Sequence, residues 1–327
     1  MKKWIALVLA LAVTASFAGC GAKNDAPAAN ETAAAAEDAY KVGICQLVQH
    51  PALDAATEGF QAALTDALGD KVSFDLQNAS GESVNCATII NGFVSNDVDL
   101  IMANATAPLQ AAASATADIP VLGTSVTDYA SALELDNWNG TVGTNVSGTS
   151  DLAPLNEQAA MVKELFPDAK TVGLLYCSAE SNSQYQVDVM TQELESLGYT
   201  CTPYSFTDTN DVASVAQAAC KSDVIFIPTD NTAAANTEAI ANVVLAEGVP
   251  VVASEAGICS GCGVATLSIS YYDLGYKTGE MAARILKGEE NVSEMAVEFA
   301  GNPQKMYNAA NCEALGITPP EGYAPLE

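Results

Sequence analysis

The chain has 327 residues, carries 40 acidic against 12 basic side chains, and holds a formal net charge of −28. A surface this acidic repels nucleic acid and anionic lipid headgroups, which sets both aside as partners. The length suits two domains rather than one. One arginine, Arg284, and one histidine, His50, leave little for guanidinium forks or for an ordinary metal site.

At the start, Lys2 and Lys3 precede an apolar run from Trp4 to Ala18 that is too short to span a bilayer and has a secretory layout. Its end, SFAGC at 16–20, resembles the bacterial lipobox, with Phe17 where Leu is usual. That resemblance implies cleavage before Cys20 and acylation of Cys20. Residues 1–19 are then a signal peptide. Residues 20–39, rich in Ala, Asn and acid and without periodicity, are a flexible tether. No later run reaches the roughly 20 apolar residues of a spanning helix. The mature protein is therefore expected outside the cytoplasm, attached to the cell membrane through lipid and otherwise monomeric.

From Lys41 onward, short apolar runs alternate with helical patterns. The runs VGICQLV (42–48), VSFDL (72–76), VDLIMA (98–103) and PVLGTS (120–125) predict four strands. Between the first two, apolar and small residues at helical spacing predict a helix over Ala52 to Leu68, stopped by Gly69. The same order returns as TVGLLY (171–176), CTPYSF (201–206), DVIFIPT (223–229) and PVVASE (250–255). Val42-Gly43 answers Val172-Gly173 and Pro120-Val121 answers Pro250-Val251, each at an offset of 130. Such alternation argues for parallel sheets covered by helices, here as two matched, doubly wound α/β lobes.

In open α/β sheets, ligands bind beyond the carboxyl ends of the strands. Those ends read QLVQHPALD (46–54), NATAP (104–108), TSVTD (124–128), CSAESNS (177–183), PTDN (228–231) and SEAG (254–257). All six are polar where the strands feeding them are apolar, so two polar rims facing each other make a cleft.

At HPALD (50–54), TSVTD (124–128), NVSGTSD (145–151), YCSAESNSQYQV (176–187), PTDN (228–231) and SISYYDLGYKTGEMAARILKG (268–288), the chain resembles the bacterial ABC-importer solute-binding lipoproteins of the tryptophan/tyrosine type. The resemblance runs from Val42 to about Ile317, with departures at Ala107, Tyr129 and Cys177. It implies a type I periplasmic-binding-protein fold with three crossovers between the lobes. The first lobe is expected to comprise 40–147 plus 271–293 and the second 148–270 plus 294–327. It also implies capture of an aromatic amino acid and delivery to an ABC permease.

The residue chemistry is compatible with that role. A zwitterion needs donors for its carboxylate, and Thr106, Ser181, Asn182 and Ser183 stand at predicted helix starts, where backbone N–H groups are also free. Its ammonium needs a carboxylate, for which Asp230, Glu180 and Asp128 are available. His50, Leu53 and Gln46 are expected to line the side-chain pocket, with Asp54 one helical turn beyond His50 to orient it. Thr127, Asn231 and Glu255 complete the candidate rim. Several of these have plainer readings, Ser181 and Asn182 as helix caps and Asp230 as a turn former. Tyr271-Tyr272-Asp273 reads as packing in the return crossover.

Eight cysteines follow Cys20, and an exported setting permits disulfides. Cys259 and Cys262, read as lying in a loop after a strand, are expected to form a small structural disulfide rather than a redox pair. No nucleophile–base constellation, Gly-rich dinucleotide turn or second CxxC pair stands out, so no enzyme activity, cofactor or metal is expected. The alternatives are a sugar or nucleoside ligand on the same fold, or a ligand sensor.

Overall fold

The computed structural model describes residues 39–299 and 301–326. The expected signal peptide, Cys20 and the tether up to residue 38 lie outside the described residues. The first lobe opens with β1 (Tyr40–Gln46), α1 (Pro51–Leu68), β2 (Val72–Asn78), α2 (Ser83–Ser95), β3 (Leu100–Asn104) and α3 (Thr106–Ala115). It continues through β4 (Val121–Val126), α4 (Tyr129–Ala132) and β5 (Val146–Ser150). The chain then crosses to α5 (Leu155–Leu165), β6 (Thr171–Cys177), α6 (Ser181–Ser196), β7 (Thr200–Phe206), α7 (Val212–Ala219) and β8 (Val224–Ile227). The second lobe goes on with α8 (Asn231–Ala234), α9 (Thr237–Glu247), β9 (Val251–Ala253), α10 (Ala256–Cys262) and β10 (Ala265–Ser268). α11 (Tyr271–Leu286) returns to the first lobe and leads to β11 (Glu298–Phe299). The chain crosses a third time to β12 (Gln304–Tyr307), α12 (Ala309–Ala314) and β13 (Ala324–Pro325).

Two sheets result, ordered β11-β5-β4-β3-β1-β2 and β13-β12-β10-β9-β8-β6-β7. Every pairing in the first is parallel. In the second, only β10 with β12 is antiparallel. Parallel strands need crossover helices, and these cover both faces. That is why β1, β3, β4 and β6 read as near-continuous apolar runs and are buried almost throughout. All eight predicted strands are present, and the predicted first helix runs from Pro51 at its first turn to a stop at Gly69, whose φ is 59°.

The expected lobe boundaries need two corrections. β5 reaches Ser150 within the first sheet, so the first crossover falls at Asp151 rather than at 148. β11 pairs in parallel with β5, so the third crossover follows Phe299 rather than 293. Both strands are short, Gly- and Ser-bearing or only two residues long, and lack the apolar run that marks a strand. The cysteine expectation is corrected as well. Cys259 and Cys262 belong to α10, and both are free, buried thiols. Glu255 caps this helix from SEAG, and that cap converts the expected loop into a helical turn. There Cys262 Sγ turns to the Ile258 carbonyl at 3.4 Å.

α11 lies along α1 through close backbone approaches. A Cβ on Gly275 would strike the Ala56 carbonyl, and one on Gly59 would strike the Tyr272 carbonyl. These glycines let the returning helix seat against the first lobe, which places Tyr271, its first residue, at the base of the cleft. Among the described residues, no helix is long and apolar enough to cross a membrane.

Candidate functional site

Because the strands of each sheet run parallel, their carboxyl ends gather along one edge per lobe. The two edges meet across a cleft with two compartments. The inner one is a small cavity lined by His50, Leu53, Ser125, Thr127, Asp151, Asn182, Thr229, Asp230, Asn231, Glu255 and Tyr271, among others. Its open volume is about 10 Å³, the scale of one water molecule or one ammonium group. The outer one is a chamber of about 620 Å³ between Leu47, Val48, Glu82, Val84, Thr106 and Ala107 on one side and Cys177, Glu180, Ser181 and Thr207 on the other. Asn182 and Asn231 border both.

The local structure explains how these groups come to face inward. β4 carries a register shift against β5 between Gly123 and Val126. A bulge of this kind re-aims a side chain. Ser125 sits within it at φ 53° and is buried with its hydroxyl unpartnered. Ala105, at φ 101°, makes the corresponding sharp turn after β3 and delivers Thr106 to the first turn of α3. Left-handed backbone at non-glycine residues concentrates at functional sites.

Most of the acidic candidates are committed to helix starts. Asp230 caps α8, accepting from Ala233 N–H at 2.8 Å while its other oxygen accepts from Cys177 N–H at 2.6 Å. Glu255 accepts from the N–H groups of Gly257 and Ile258 at the start of α10. Glu180 holds the start of α8 with both oxygens: Oε2 accepts from Asn231 N–H (3.0 Å) and Nδ2 (2.7 Å), Oε1 from Thr232 N–H and hydroxyl (both 2.8 Å). Asp128 caps α4 through Ser131 N–H at 2.7 Å and lines neither compartment. Asp230, Glu180 and Asp128, expected to be available to an ammonium group, thus also serve as acceptors at helix starts, and of the three Asp230 and Glu180 border the cleft.

The expectation for Gln46 and Asp54 also changes. Thr57 donates to Gln46 Oε1 at 2.7 Å, and Gln46 Nε2 donates to Asp54 Oδ1 at 2.6 Å. Gln46 and Asp54 form a partly buried brace between β1 and α1, outside both compartments, and Asp54 pairs with Gln46 rather than His50. His50 instead pairs its Nε2 with Asn231 Oδ1, at 3.3 Å across the cleft. Asn231 Nδ2 donates to Glu180, so its Oδ1 is the acceptor and His50 Nε2 carries the proton. Burial holds the imidazole below its usual pKa, leaving Nδ1 an unpartnered acceptor. Ser183 lies beneath Asp230 and donates to its carboxylate. Ser181 is exposed on the outer wall, while Leu53, Thr127, Asn182 and Asn231 do line the cleft.

Two residues that sequence reasoning left out stand at the centre. Asp151, the first residue after β5, is 3% exposed, and Tyr271 donates its hydroxyl to Asp151 Oδ2 at 2.9 Å. Asp151 Oδ1 has no partner. Desolvation pushes Asp151 up to about 6 against the Tyr271 and Thr127 hydroxyls, and Glu255 up to about 7 against its capping N–H groups. Burial, reinforced by the nearby Glu180 charge, likewise raises Asp230. The signal for Asp151 was available, as the only acid in NVSGTSD. Nothing there announced a strand, so its carboxyl end was not identified. Tyr271 packs as expected but also turns its hydroxyl to the site.

A family model for ABC transporter substrate binding proteins matches residues 41–324. The chain is 34% identical over 322 residues, 97% of its length and 93% of the relative's, to a tyrosine-binding protein of Clostridioides difficile. Its structure is similar to an ABC domain from Streptococcus pneumoniae in complex with L-Trp, at 32% identity and a TM-score of 0.84 over 89% of this chain and 100% of that one. It is also similar to the ligand-free, open structure of a Clostridium difficile substrate-binding protein with adhesive properties, at 37% identity and a TM-score of 0.68 over 88% and 99%. This chain belongs to the ABC transporter substrate-binding family, with the type I periplasmic-binding-protein fold. The better match to the L-Trp complex, despite lower identity, agrees with lobes drawn together across the cleft, as the His50–Asn231 contact requires.

Proposed function

We propose that the protein is the extracytoplasmic solute-binding component of an ABC importer, that it captures an aromatic amino acid between its lobes, and that it presents this ligand to a membrane permease. The role is binding without chemistry, and the protein acts as a monomer held at the membrane by a lipid on Cys20. The observation that carries the reading is the charge of the inner cavity. Asp151, Asp230 and Glu255 line it, while no Lys or Arg does. Burying several carboxylates without a cation is costly, and an amino acid brings its own ammonium group. The outer chamber, within the 300–1,000 Å³ range usual for small-molecule sites, then takes the side chain. The carboxylate falls at the border, near the backbone N–H groups at the helix starts of Thr106 and Ser181. The tyrosine-binding and L-Trp-bound relatives support the choice of an aromatic amino acid.

The test is a thermal-shift panel of the twenty amino acids, common sugars and nucleosides on the purified protein. A ligand that binds only the folded form at about 100 times its Kd adds roughly 2.7 kcal/mol of stability. Tyrosine, tryptophan or phenylalanine should raise Tm, and sugars and nucleosides should not. A response confined to a sugar or nucleoside would remove the amino-acid reading and keep the importer reading. Mass measurement of the membrane fraction should find an N-terminal acylated Cys20, and an unmodified mature N-terminus would remove the anchor.

A further inference from the structure

Three residues lining the inner cavity share one property. Asp151 Oδ1, Ser125 Oγ and His50 Nδ1 are buried, lie on residues lining this cavity, and have no hydrogen-bond partner. Buried polar atoms in native proteins are almost always paired, so three orphans around one small space call for an absent partner. Their chemistry narrows what it is. Asp151 Oδ1 is an acceptor. His50 Nδ1 is an acceptor because Nε2 carries the proton toward Asn231. A serine hydroxyl can accept as well as donate. A primary ammonium offers three N–H donors and no acceptor, and the cavity has about the volume of that group. The other two carboxylates of the cavity already spend both oxygens on backbone N–H groups.

We propose that Asp151 is the residue that takes the ammonium group of the bound amino acid, through Oδ1, with Ser125 Oγ and His50 Nδ1 as the second and third acceptors. Tyr271 is the positioning residue: its hydroxyl on Oδ2 fixes the carboxylate with Oδ1 free. The assignment rests on the amino-acid reading above. All three contacts come from one side, since Ser125 lies near the end of β4, Asp151 follows β5 and His50 immediately precedes α1. The ammonium is then held by the first lobe and the hinge, and Asn231 of the second lobe reaches it only through His50.

Calorimetry on wild type, Asp151→Asn and Ser125→Ala tests this with three kinds of probe. These are L-tyrosine and L-tryptophan, the amines tyramine and tryptamine, and the des-amino acids 3-(4-hydroxyphenyl)propanoate and 3-(indol-3-yl)propanoate. Wild type should bind its amino acid at least about 30-fold more tightly than the des-amino acid, the loss expected when one partner of a buried charge pair is missing. Asp151→Asn should erase that preference by weakening the amino acid while leaving the des-amino acid within about threefold. Ser125→Ala, which keeps the charge and guards against a folding defect in the first variant, should cost roughly tenfold on the amino acid alone. Equal binding of the amino acid by wild type and Asp151→Asn overturns the proposal. So does a loss that falls equally on amino and des-amino ligands. If wild type ignores amino acids but binds an amine in an Asp151-dependent way, the amino-acid reading falls and the ammonium site stands. If wild type binds neither amino acids nor amines, both fall.

Discussion

Asp151, Glu255 and Asp230 are raised by burial, and this sets opposite pH responses for the empty and the loaded protein. A carboxyl whose folded pKa lies above its unfolded value contributes stability at low pH that is lost as pH rises through the folded value. For Asp151 and Glu255 that window runs from the ordinary carboxylate range up to about 6 and about 7, and Asp230 acts in the same direction. The groups around them are His50, the Tyr271 hydroxyl and the Glu180 carboxylate. His50 works the other way, since its lowered pKa costs stability as pH falls below its unfolded value, so the comparison is cleanest above about 6.5. Between pH 8.5 and pH 6.5, where Glu255 and Asp230 rather than Asp151 take up protons, the ligand-free protein should gain in Tm. The added Tm from a saturating aromatic amino acid should shrink as pH falls from 6.5 through the value of about 6 for Asp151, because an ammonium needs its carboxylate ionised. Scanning fluorimetry at four pH values reads both, and a ligand-free Tm that falls steadily from pH 8.5 to 6.5 would remove the argument.

At the scale of elements, the packing of α11 on α1 decides where the site is built. Both helices begin at it, α1 after His50 and α11 at Tyr271. Their backbones approach through Gly59 and Gly275, where an added methyl meets a main-chain carbonyl rather than a side chain able to move. Overpacking of this kind typically costs about 1–3 kcal/mol. Gly275→Ala should therefore lower Tm by several degrees and, by pushing Tyr271 off Asp151, weaken amino-acid binding. Gly288→Ala is not a suitable control because its φ is 71°. Gly92, with open space around its Cβ position and a helical setting, is. Gly92→Ala should leave binding unchanged and hold or raise Tm. A Gly275→Ala protein as stable as wild type would show that the helices separate at no cost.

For the molecule as a whole, two lobes joined by three crossovers form a hinge, and the cleft between them is bridged here by His50 and Asn231. Hinge closure around a ligand is a standard transition for this kind of architecture. A ligand shifts it only by as much as it prefers the closed state. If the ammonium site lies in the first lobe and hinge, the carboxylate contacts at the α6 start must supply that preference. Small-angle scattering should then show a smaller radius of gyration with tyrosine or tryptophan than without. Tyramine, lacking the carboxylate, should compact the protein less than tyrosine at equal saturation. Identical curves with and without the amino acid would argue for lobes already closed in the free protein.

The amino-acid sequence by itself determined the two-lobe α/β plan, since the alternation of apolar strand runs with helical patterns recurs in the same order in both halves whatever the loop lengths. It also determined that the strand ends carry the polar residues, and His50, Leu53, Thr127, Asn182 and Asn231 do line the cleft. It left β5 and β11 unseen, because a Gly- and Ser-bearing strand and a two-residue strand have no apolar signature. Only the tertiary structure decided which acid stays free. Asp230, Glu180, Glu255 and Asp128 stand before helix starts, where backbone donors a few residues away in the chain, or across a strand pair, claim them. Asp151 stands where the chain leaves one lobe for the other, with no helix start of its own to cap, and the hydroxyl on its Oδ2, that of Tyr271, lies 120 residues further along the chain. Local spacing can announce a cap, because a cap is made within a turn. It cannot announce an unfilled oxygen, which depends on every group that folding does or does not bring to it.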